Sequence, residues 1–300
     1  MKPAIGAEAL AAKGWLRSHQ WLLLRRLSQG SILVLFLLGP WFGLWIVKGN
    51  LASSLTLGVL PLTDPYVVLQ SLVAGQRPLT TAFIGAAIVL AFYLLVGGRV
   101  YCSWVCPLNV VTDAAAWLRR RLGIRASARL SRRTRHWILA MTLVVAVATG
   151  SIAWELINPV SMLHRGLIFG FGAAWAVVLA VFLFDLLIVQ HGWCGHLCPV
   201  GAFYGLIGRF SAVRVMASRR EACNDCADCY AVCPEPLIIK PALKAVGGAG
   251  PVIDTGLCTN CGRCLDVCSK DVFEVGTRWA RVAPPRSAPA PGADRATNPS

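Results

Sequence analysis

Charge is scarce in this 300-residue chain, and acid is scarcer still: 14% of residues are charged, with 14 Asp and Glu against 29 Lys and Arg. So little charge on a chain that is 56% hydrophobic, with a mean hydropathy of +0.60, excludes an ordinary soluble globular domain. There is no Cys-x2-Cys-His haem attachment motif, no glycine-rich dinucleotide fingerprint after a strand and no nucleophile elbow. Their absence excludes covalent haem on this chain and gives no support to a nicotinamide enzyme or a serine hydrolase. No cysteine is left over either, because all 12 fall in four tight clusters whose spacings suit reduced metal ligands rather than a disulfide framework. Finally, no aromatic residues interleave the basic runs Arg119-Arg120-Arg121 and Arg132-Arg133-Thr134-Arg135, so the net charge of +15 is not a nucleic-acid footprint.

What is present is apolar length. Four stretches, 27–47, 78–98, 137–154 and 166–189, carry almost no charge, and each is long enough to cross about 30 Å as a helix. The remaining residues are too few and too basic to wrap four such helices as a soluble core. Lys13, Arg17, Arg25 and Arg26 precede the first stretch, and Arg99, Arg119 to Arg121, Arg125, Arg129, Arg132, Arg133 and Arg135 lie between the second and third. The other two loops carry only Lys48 and Arg77, and Arg165. The bias of positive charge puts both termini and the central loop in the cytoplasm, with 49–76 and 158–165 on the far side. Arg25-Arg26 before an apolar run also fits a twin-arginine export signal, but Gly39-Pro40-Trp41 offers no small-residue cleavage site, so the helix is read as retained. Trp41, Trp45, Trp154 and Trp175 suit interfacial belts. The expected organisation is a cytoplasmic segment 1–26, a four-span membrane domain 27–210, a ferredoxin-like domain 211–282 and a Pro/Ala/Ser-rich disordered tail 283–300.

The strongest motif lies late in the chain. Cys223-x2-Cys226-x2-Cys229-x3-Cys233-Pro234 is the bacterial ferredoxin run, and Cys258-x2-Cys261-x2-Cys264-x3-Cys268 repeats it with Ser269 in place of the proline. In such runs three close thiolates hold one [4Fe–4S] cluster while the fourth ligates the other. The ligand sets are therefore Cys223, Cys226, Cys229 and Cys268 for cluster one, and Cys258, Cys261, Cys264 and Cys233 for cluster two. Zinc ribbons use paired Cys-x2-Cys rather than two complete four-cysteine runs. Asp225, Asp228, Glu235, Asp266 and Asp271 surround the clusters against Arg263 and Lys270, and net negative charge lowers a cluster's potential within the wide range of about −700 to +450 mV.

Two further motifs match one another: Arg99-Val-Tyr-Cys102-Ser-Trp-Val-Cys106-Pro107 and His191-Gly-Trp-Cys194-Gly-His-Leu-Cys198-Pro199, each after an even-numbered span. An internal repeat of helix pair plus cysteine loop accounts for both. The residue before proline leaves the α region and proline favours the first helical position, so Cys106 and Cys198 sit at helix N-termini, where amide dipoles lower a thiol pKa. The helices that follow, 108–121 and 200–210, read as amphipathic and interfacial, with Val111, Ala115 and Leu118 on one face and Phe203, Ile207 and Phe210 on the other. Brought together, Cys102, Cys106, Cys194 and Cys198 form a metal site or a relay dithiol, with His191 and His196 as extra candidate ligands. The alternative is that these cysteines pack as small hydrophobes at span ends.

On these residues the chain resembles the NapH family of ferredoxin-type membrane quinol dehydrogenase components. The resemblance also rests on Gly14-Trp15-Leu16-Arg17-Ser18-His19, Gly39-Pro40-Trp41-Phe42-Gly43, Pro61-Leu62-Thr63-Asp64-Pro65, Ile157-Asn158-Pro159-Val160-Ser161, Cys233-Pro234-Glu235-Pro236 and Lys270-Asp271-Val272-Phe273. It implies an inner-membrane protein that oxidises quinol and passes electrons through a periplasmic iron–sulfur partner of the NapG type, with a membrane-anchored multihaem cytochrome as a further partner, towards periplasmic nitrate reductase. The alternatives are a maturation or redox-maintenance factor for a periplasmic reductase, and a methylamine-utilisation ferredoxin-type protein. Quinol oxidation needs a proton acceptor, and Asp185 is the single acid inside a span, where a carboxylate is costly to bury. Its alternative reading is a polar cap. Glu155 and Asp64 are weaker candidates at the opposite face. Cytoplasmic clusters and a periplasmic reductase imply that the current crosses inward and returns, or that the clusters serve regulation or another donor.

Overall fold

The computed structural model describes residues 4–124, 126–128, 130–170 and 172–280; the tail expected at 283–300 lies outside them. Two helices open the chain, α1 (Ala7–Ser18) and α2 (Gln20–Phe42), and α2 stops where Gly43 takes a left-handed turn after Pro40. A three-stranded antiparallel sheet follows, β1 (Val47–Gly49), β2 (Ser53–Thr56) and β3 (Leu60–Thr63). Next come α3 (Pro65–Val73), α4 (Thr80–Val96), α5 (Leu108–Arg121), α6 (Thr134–Thr149), α7 (Ala153–Ile157), α8 (Pro159–Phe169), α9 (Ala173–Leu183) and α10 (Pro199–Ile207). The C-terminal part holds β4 (Val213–Met216), α11 (Asp228–Val232), α12 (Ile239–Lys244), α13 (Arg263–Val267) and β5 (Glu274–Thr277), with Val213 opposite Thr277 in an antiparallel pair.

One helical stretch among the described residues, Ala7–Phe42, is long and apolar enough to cross a membrane by itself. The apolar helices Thr80–Val96, Thr134–Thr149 and Ala174–Ile188 are shorter than the stretches read from hydropathy. The fourth expected span, 166–189, is not one helix: α8 ends at Gly170, whose φ of 92° an L side chain rarely adopts, and α9 begins at Ala173. The apolar helices expose large side chains all the same, including Phe92, Leu95, Met141, Val144 and Leu179.

The segments between the apolar helices turn back into the fold instead of forming simple outer loops. Asp64 caps α3 by accepting from the Tyr66 N–H at 2.9 Å, and Asn158 caps α8 by accepting from Val160 N–H at 3.1 Å, each with proline next in the chain. Tyr66 is fully buried, and its hydroxyl meets Thr142 Oγ1 on α6 at 2.6 Å. The repeated unit is thus larger than a helix pair and a loop. It comprises a capped short helix, an apolar helix, a cysteine loop and a further helix.

The ferredoxin-like part folds against the N-terminal helices. Gly6 N–H donates to Asp228 at 2.8 Å, Trp21 and Leu22 N–H donate to the two oxygens of Asp266 at 3.0 Å, and Lys13 pairs with Asp271. On the other flank Gly98, Gly208 and Gly256 allow backbone contact that a Cβ at Gly98 or Gly256 would block. Helix α10, expected at an interface, is instead largely buried: Val200, Ala202 and Tyr204 are inaccessible and pack beside α6. Trp154 is not in a surface belt either, being buried and stacked on Trp193 at 6.5 Å.

Candidate redox centres

The two cysteine runs enclose two cavities. Cys223, Cys226, Cys229 and Cys268 line one of about 200 Å³, and Cys233, Cys258, Cys261 and Cys264 line a smaller one. Backbone amides supply hydrogen bonds to the sulfurs, from Asp228 to Cys226, Glu235 to Cys233, Asn260 to Cys258, Arg263 to Cys261, and Val272 to Cys268 at 3.4 Å. Such donors stabilise thiolate ligands, so the residues present fit four-iron clusters. Among the described residues no three His, Cys, Asp or Glu are placed to hold a lone metal ion; the thiols surround their cavities. The two centres differ in setting. Cys226 is exposed, whereas Cys261 is buried, and although burial pushes its thiol up, Arg263 and Arg25 overcome this and leave it below its ordinary value.

The two Cys-x3-Cys-Pro loops are built alike. Tyr101–Val105 and Trp193–Leu197 each form a π turn, closed by Cys106 N–H to Tyr101 O and by Cys198 N–H to Trp193 O, both at 2.9 Å. All four loop cysteines line a single small cavity together with Asp64, Asn158, Pro159 and Val200. Four helices, α3, α5, α8 and α10, therefore start at this cavity, and their amide ends favour negative charge there. The amides of Leu108 and Asn109 reach the Cys106 sulfur, and those of Val200 and Gly201 reach Cys198. The expected lowering of these thiol pKa values does not follow. Burial pushes Cys198 up to about 12 and Cys106 further, and repulsion from the neighbouring thiols adds to it, so the helix ends are outweighed.

His191 and His196 are not part of this cavity lining. His191, buried at a φ of 52°, faces a neighbouring cavity with Arg25, Asp113 and Arg263, where burial lowers its pKa to about 3. The Asp185 carboxylate is buried and accepts the Trp193 N–H at 2.8 Å, so it caps the second cysteine loop and lines neither that cavity nor the ferredoxin cavities. Glu155 holds Ser161 and Asn158 beside the thiol cavity.

Charge links the loops to the inner ferredoxin centre. The Arg99 guanidinium, 1% exposed, donates to Glu235 Oε1 at 3.0 Å, to Leu257 O at 3.0 Å and to Cys194 O at 2.9 Å. Glu235 also binds Arg135 at 3.1 Å, and Arg132. Asp113 on α5 ties Arg25 and Arg26 of α2 to Arg263 beside Cys264. Burial raises the Asp113 carboxyl, and Arg263, Arg25 and Arg26 together bring it below the ordinary range. In the sequence Glu235 is legible only as one of several acids near the clusters, and its place in this network is not. The signal available was the arginine just before the first loop and the acid just after Cys233-Pro234.

Comparison with known proteins agrees with these features. Residues 79–125 and 171–216 match a 4Fe-4S binding domain family, and residues 222–272 match a 4Fe-4S dicluster domain family. The chain is 54% identical to the methylamine utilization ferredoxin-type protein MauN of Methylorubrum extorquens, over 94% of this chain and 97% of that protein. It is 52% identical to the ferredoxin-type protein NapH of Escherichia coli over 93% and 96%, and 48% identical to NapH of Haemophilus influenzae over 91% and 96%. No solved structure matches. With two cluster-binding runs and full-length similarity of this order, the chain belongs to the family of ferredoxin-type iron–sulfur electron-transfer proteins that includes NapH and MauN.

Proposed function

We propose that this protein is a four-span inner-membrane subunit that takes electrons from quinol and delivers them to an iron–sulfur partner. The observation that carries the reading is Arg99, which joins the Cys194 carbonyl of the loop cavity to residues flanking two cysteines of the inner ferredoxin cavity, Glu235 beside Pro234 and Leu257 beside Cys258. The membrane part is supported by large apolar side chains exposed on α2, α4, α6 and α9, while Gln70, Thr142 and several arginines are buried. α4, at 17 residues, covers about 26 Å as helix, close to the hydrocarbon thickness of about 30 Å. The ferredoxin-like part shares a face with the N-terminal helix, and the arginine bias assigns that face to the cytoplasm.

In this reading the ligand sets are Cys223, Cys226, Cys229 and Cys268 for the outer cluster and Cys233, Cys258, Cys261 and Cys264 for the inner one. When bound, these clusters supply one-electron acceptance, which divides the electron pair of a quinol. Arg99, Glu235 and Arg135 fix the inner cavity against the cysteine loops, and exposed Cys226 marks an edge that a partner's redox centre can approach. The four loop thiols lie between this face and the capped ends of α3 and α8, on the line that a return current to a periplasmic partner has to take. That partner is a NapG-type subunit of the nitrate-reducing system. A methylamine-utilisation system is the second reading, because relatives of both names stand at 52% and 54% identity.

The test is anaerobic addition of a short-chain quinol to the purified protein, followed by EPR. Cluster reduction within seconds supports the proposal. Clusters that accept electrons from dithionite but not from either ubiquinol or menaquinol analogues, with the partner subunit present, refute it in favour of a maturation or maintenance role.

A further inference from the structure

A second cavity in the membrane part, of about 470 Å³, lies between α2, the three-stranded sheet and α4. Its volume falls in the range of small-molecule sites, roughly 300–1,000 Å³. The walls are almost wholly aliphatic and aromatic, with Phe36, Val89 and Phe92 among them, and Phe92 is half exposed on the outer surface of α4 where lipid would lie. The inner end is different. Asp64, Tyr93, Tyr101 and Tyr204 gather there, with Tyr101 and Tyr204 stacked at 5.1 Å and Tyr93 edge-on to Tyr204 at 5.0 Å.

Asp64 and Tyr101 belong to the walls of both this cavity and the cavity of the four loop thiols. Asp64 is the one acid that lines either of them among the described residues. Its Oδ1 accepts from Tyr66 N–H at 2.9 Å and from the Tyr204 hydroxyl at 3.0 Å. An apolar pocket reached from the lipid side, ending in aromatic rings and one hydrogen-bonded carboxylate beside the four loop cysteines, has the attributes that a long-tailed hydroquinone requires.

We propose that this cavity binds the head group of an isoprenoid quinol and that Asp64 accepts its hydroxyl protons; the assignment rests on the quinol reading above. Oxidation breaks two O–H bonds and releases two protons and two electrons, leaving the quinone. The clusters held by the ferredoxin cysteines would, when bound, supply the one-electron acceptors for the two electrons. Asp64 takes the protons in turn and releases them across the thiol cavity to the Ser161 hydroxyl and on to Glu155, both of which Asn158 holds in place by donating hydrogen bonds. Burial raises the Asp64 carboxyl from its ordinary value to about 6, and nearby Glu155 adds to this, which suits a group that both gains and gives up protons near neutrality.

Two measurements test the assignment. A photoreactive short-chain azidoquinone is crosslinked to the intact protein in nanodiscs, and the modified peptides are mapped by mass spectrometry. Label on the Leu62–Tyr66 or Ile88–Tyr93 segments, displaced by excess decylubiquinol, supports the site. Label confined elsewhere, or a cavity retaining only phospholipid, overturns it. In parallel, stopped-flow reduction by decylubiquinol is compared for wild type, Asp64→Asn, Asp64→Glu and Val89→Trp. Asp64→Asn is expected to slow reduction at least ~100-fold, the lower end of general acid–base effects, with partial recovery in Asp64→Glu and full reduction by dithionite in all. Wild-type rates in both Asp64→Asn and Val89→Trp overturn the site while leaving quinol oxidation intact. A wild type that decylubiquinol fails to reduce instead refutes the quinol reading, and the crosslinking arm still judges the cavity.

Discussion

Replacing Glu235 by Gln should unfasten the inner cluster cavity from the cysteine loops. The carboxylate is 1% exposed and is shared by three guanidinia, those of Arg99, Arg135 and Arg132, of which the first two are themselves 1% and 2% exposed. Glutamine keeps the shape and one acceptor but leaves this buried positive charge uncompensated. Removing one partner of a buried pair typically costs about 3–5 kcal/mol, and the two remaining buried arginines put this site towards the upper end. At about 1.4 kcal/mol per factor of ten, the docked arrangement becomes roughly 100- to 5,000-fold less favoured. For a chain of this size such a loss lowers Tm by roughly 5–20 °C. The assay is thermal unfolding of anaerobically purified protein, together with iron content and the EPR signal of the inner centre. The expected result is a large drop in Tm with selective loss of the signal assigned to the buried cavity. A Tm within 2 °C of wild type with full iron would refute the claim that this network holds the centre in place.

Three other outcomes follow from the same geometry. Cys102→Ser or Cys194→Ser should retain about eight irons per chain, as two four-iron clusters require, yet lose most quinol-driven reduction; unchanged rates with intact clusters would remove any essential role for the loop thiols. Asp64 must be ionised to accept a proton, so with its pKa raised to about 6 the quinol-driven rate should climb as pH rises through that value and level off above it. The titratable groups around Asp64 are the phenols of Tyr93, Tyr101 and Tyr204, the last two shifted upward by burial, Glu155, and the four upward-shifted loop thiols, so the profile should flatten in Asp64→Asn and a pH-independent wild type would contradict the assignment. Asp185→Asn keeps an acceptor for the Trp193 N–H and should alter the quinol-driven rate less than ~3-fold, whereas removal of a catalytic acid or base costs ~100-fold or more.

Much of the redox apparatus could be read in the sequence because cysteine spacing is a local code. The pairing of Cys268 with the first run and Cys233 with the second follows from the ferredoxin pattern, and the same groups of four surround the two cavities. The likeness of Asp64-Pro65 to Asn158-Pro159 was equally available, since capping is local. The inward return of α3 and α8 was not, because a hydropathy window registers apolar length and says nothing about which turn folds back. For the same reason Trp154, assigned to a surface belt, proves to be buried against Trp193. The sign of the thiol shifts at Cys106 and Cys198 was missed because a helix end acts over one turn whereas burial depends on the whole fold. Glu235 and Arg99 lie too far apart in the chain for any local pattern to pair them.

The contacts of the N-terminal helices with the late cysteine segment also constrain how the protein is made. Gly6, Lys13, Trp21 and Leu22 are synthesised first, and their partners Asp228, Asp266 and Asp271 emerge from the ribosome more than two hundred residues later. The first turns of α1 and α2 must therefore wait for these partners until translation is nearly complete, whereas the rest of α2 meets Ser103, Trp104 and Asp113 much sooner. The segment carrying Cys258 to Cys268 is the last to be delivered, so its contacts with Lys13, Trp21 and Leu22 form after those of the rest of the chain. Folding then ends with the last-made segment closing onto the helices made first.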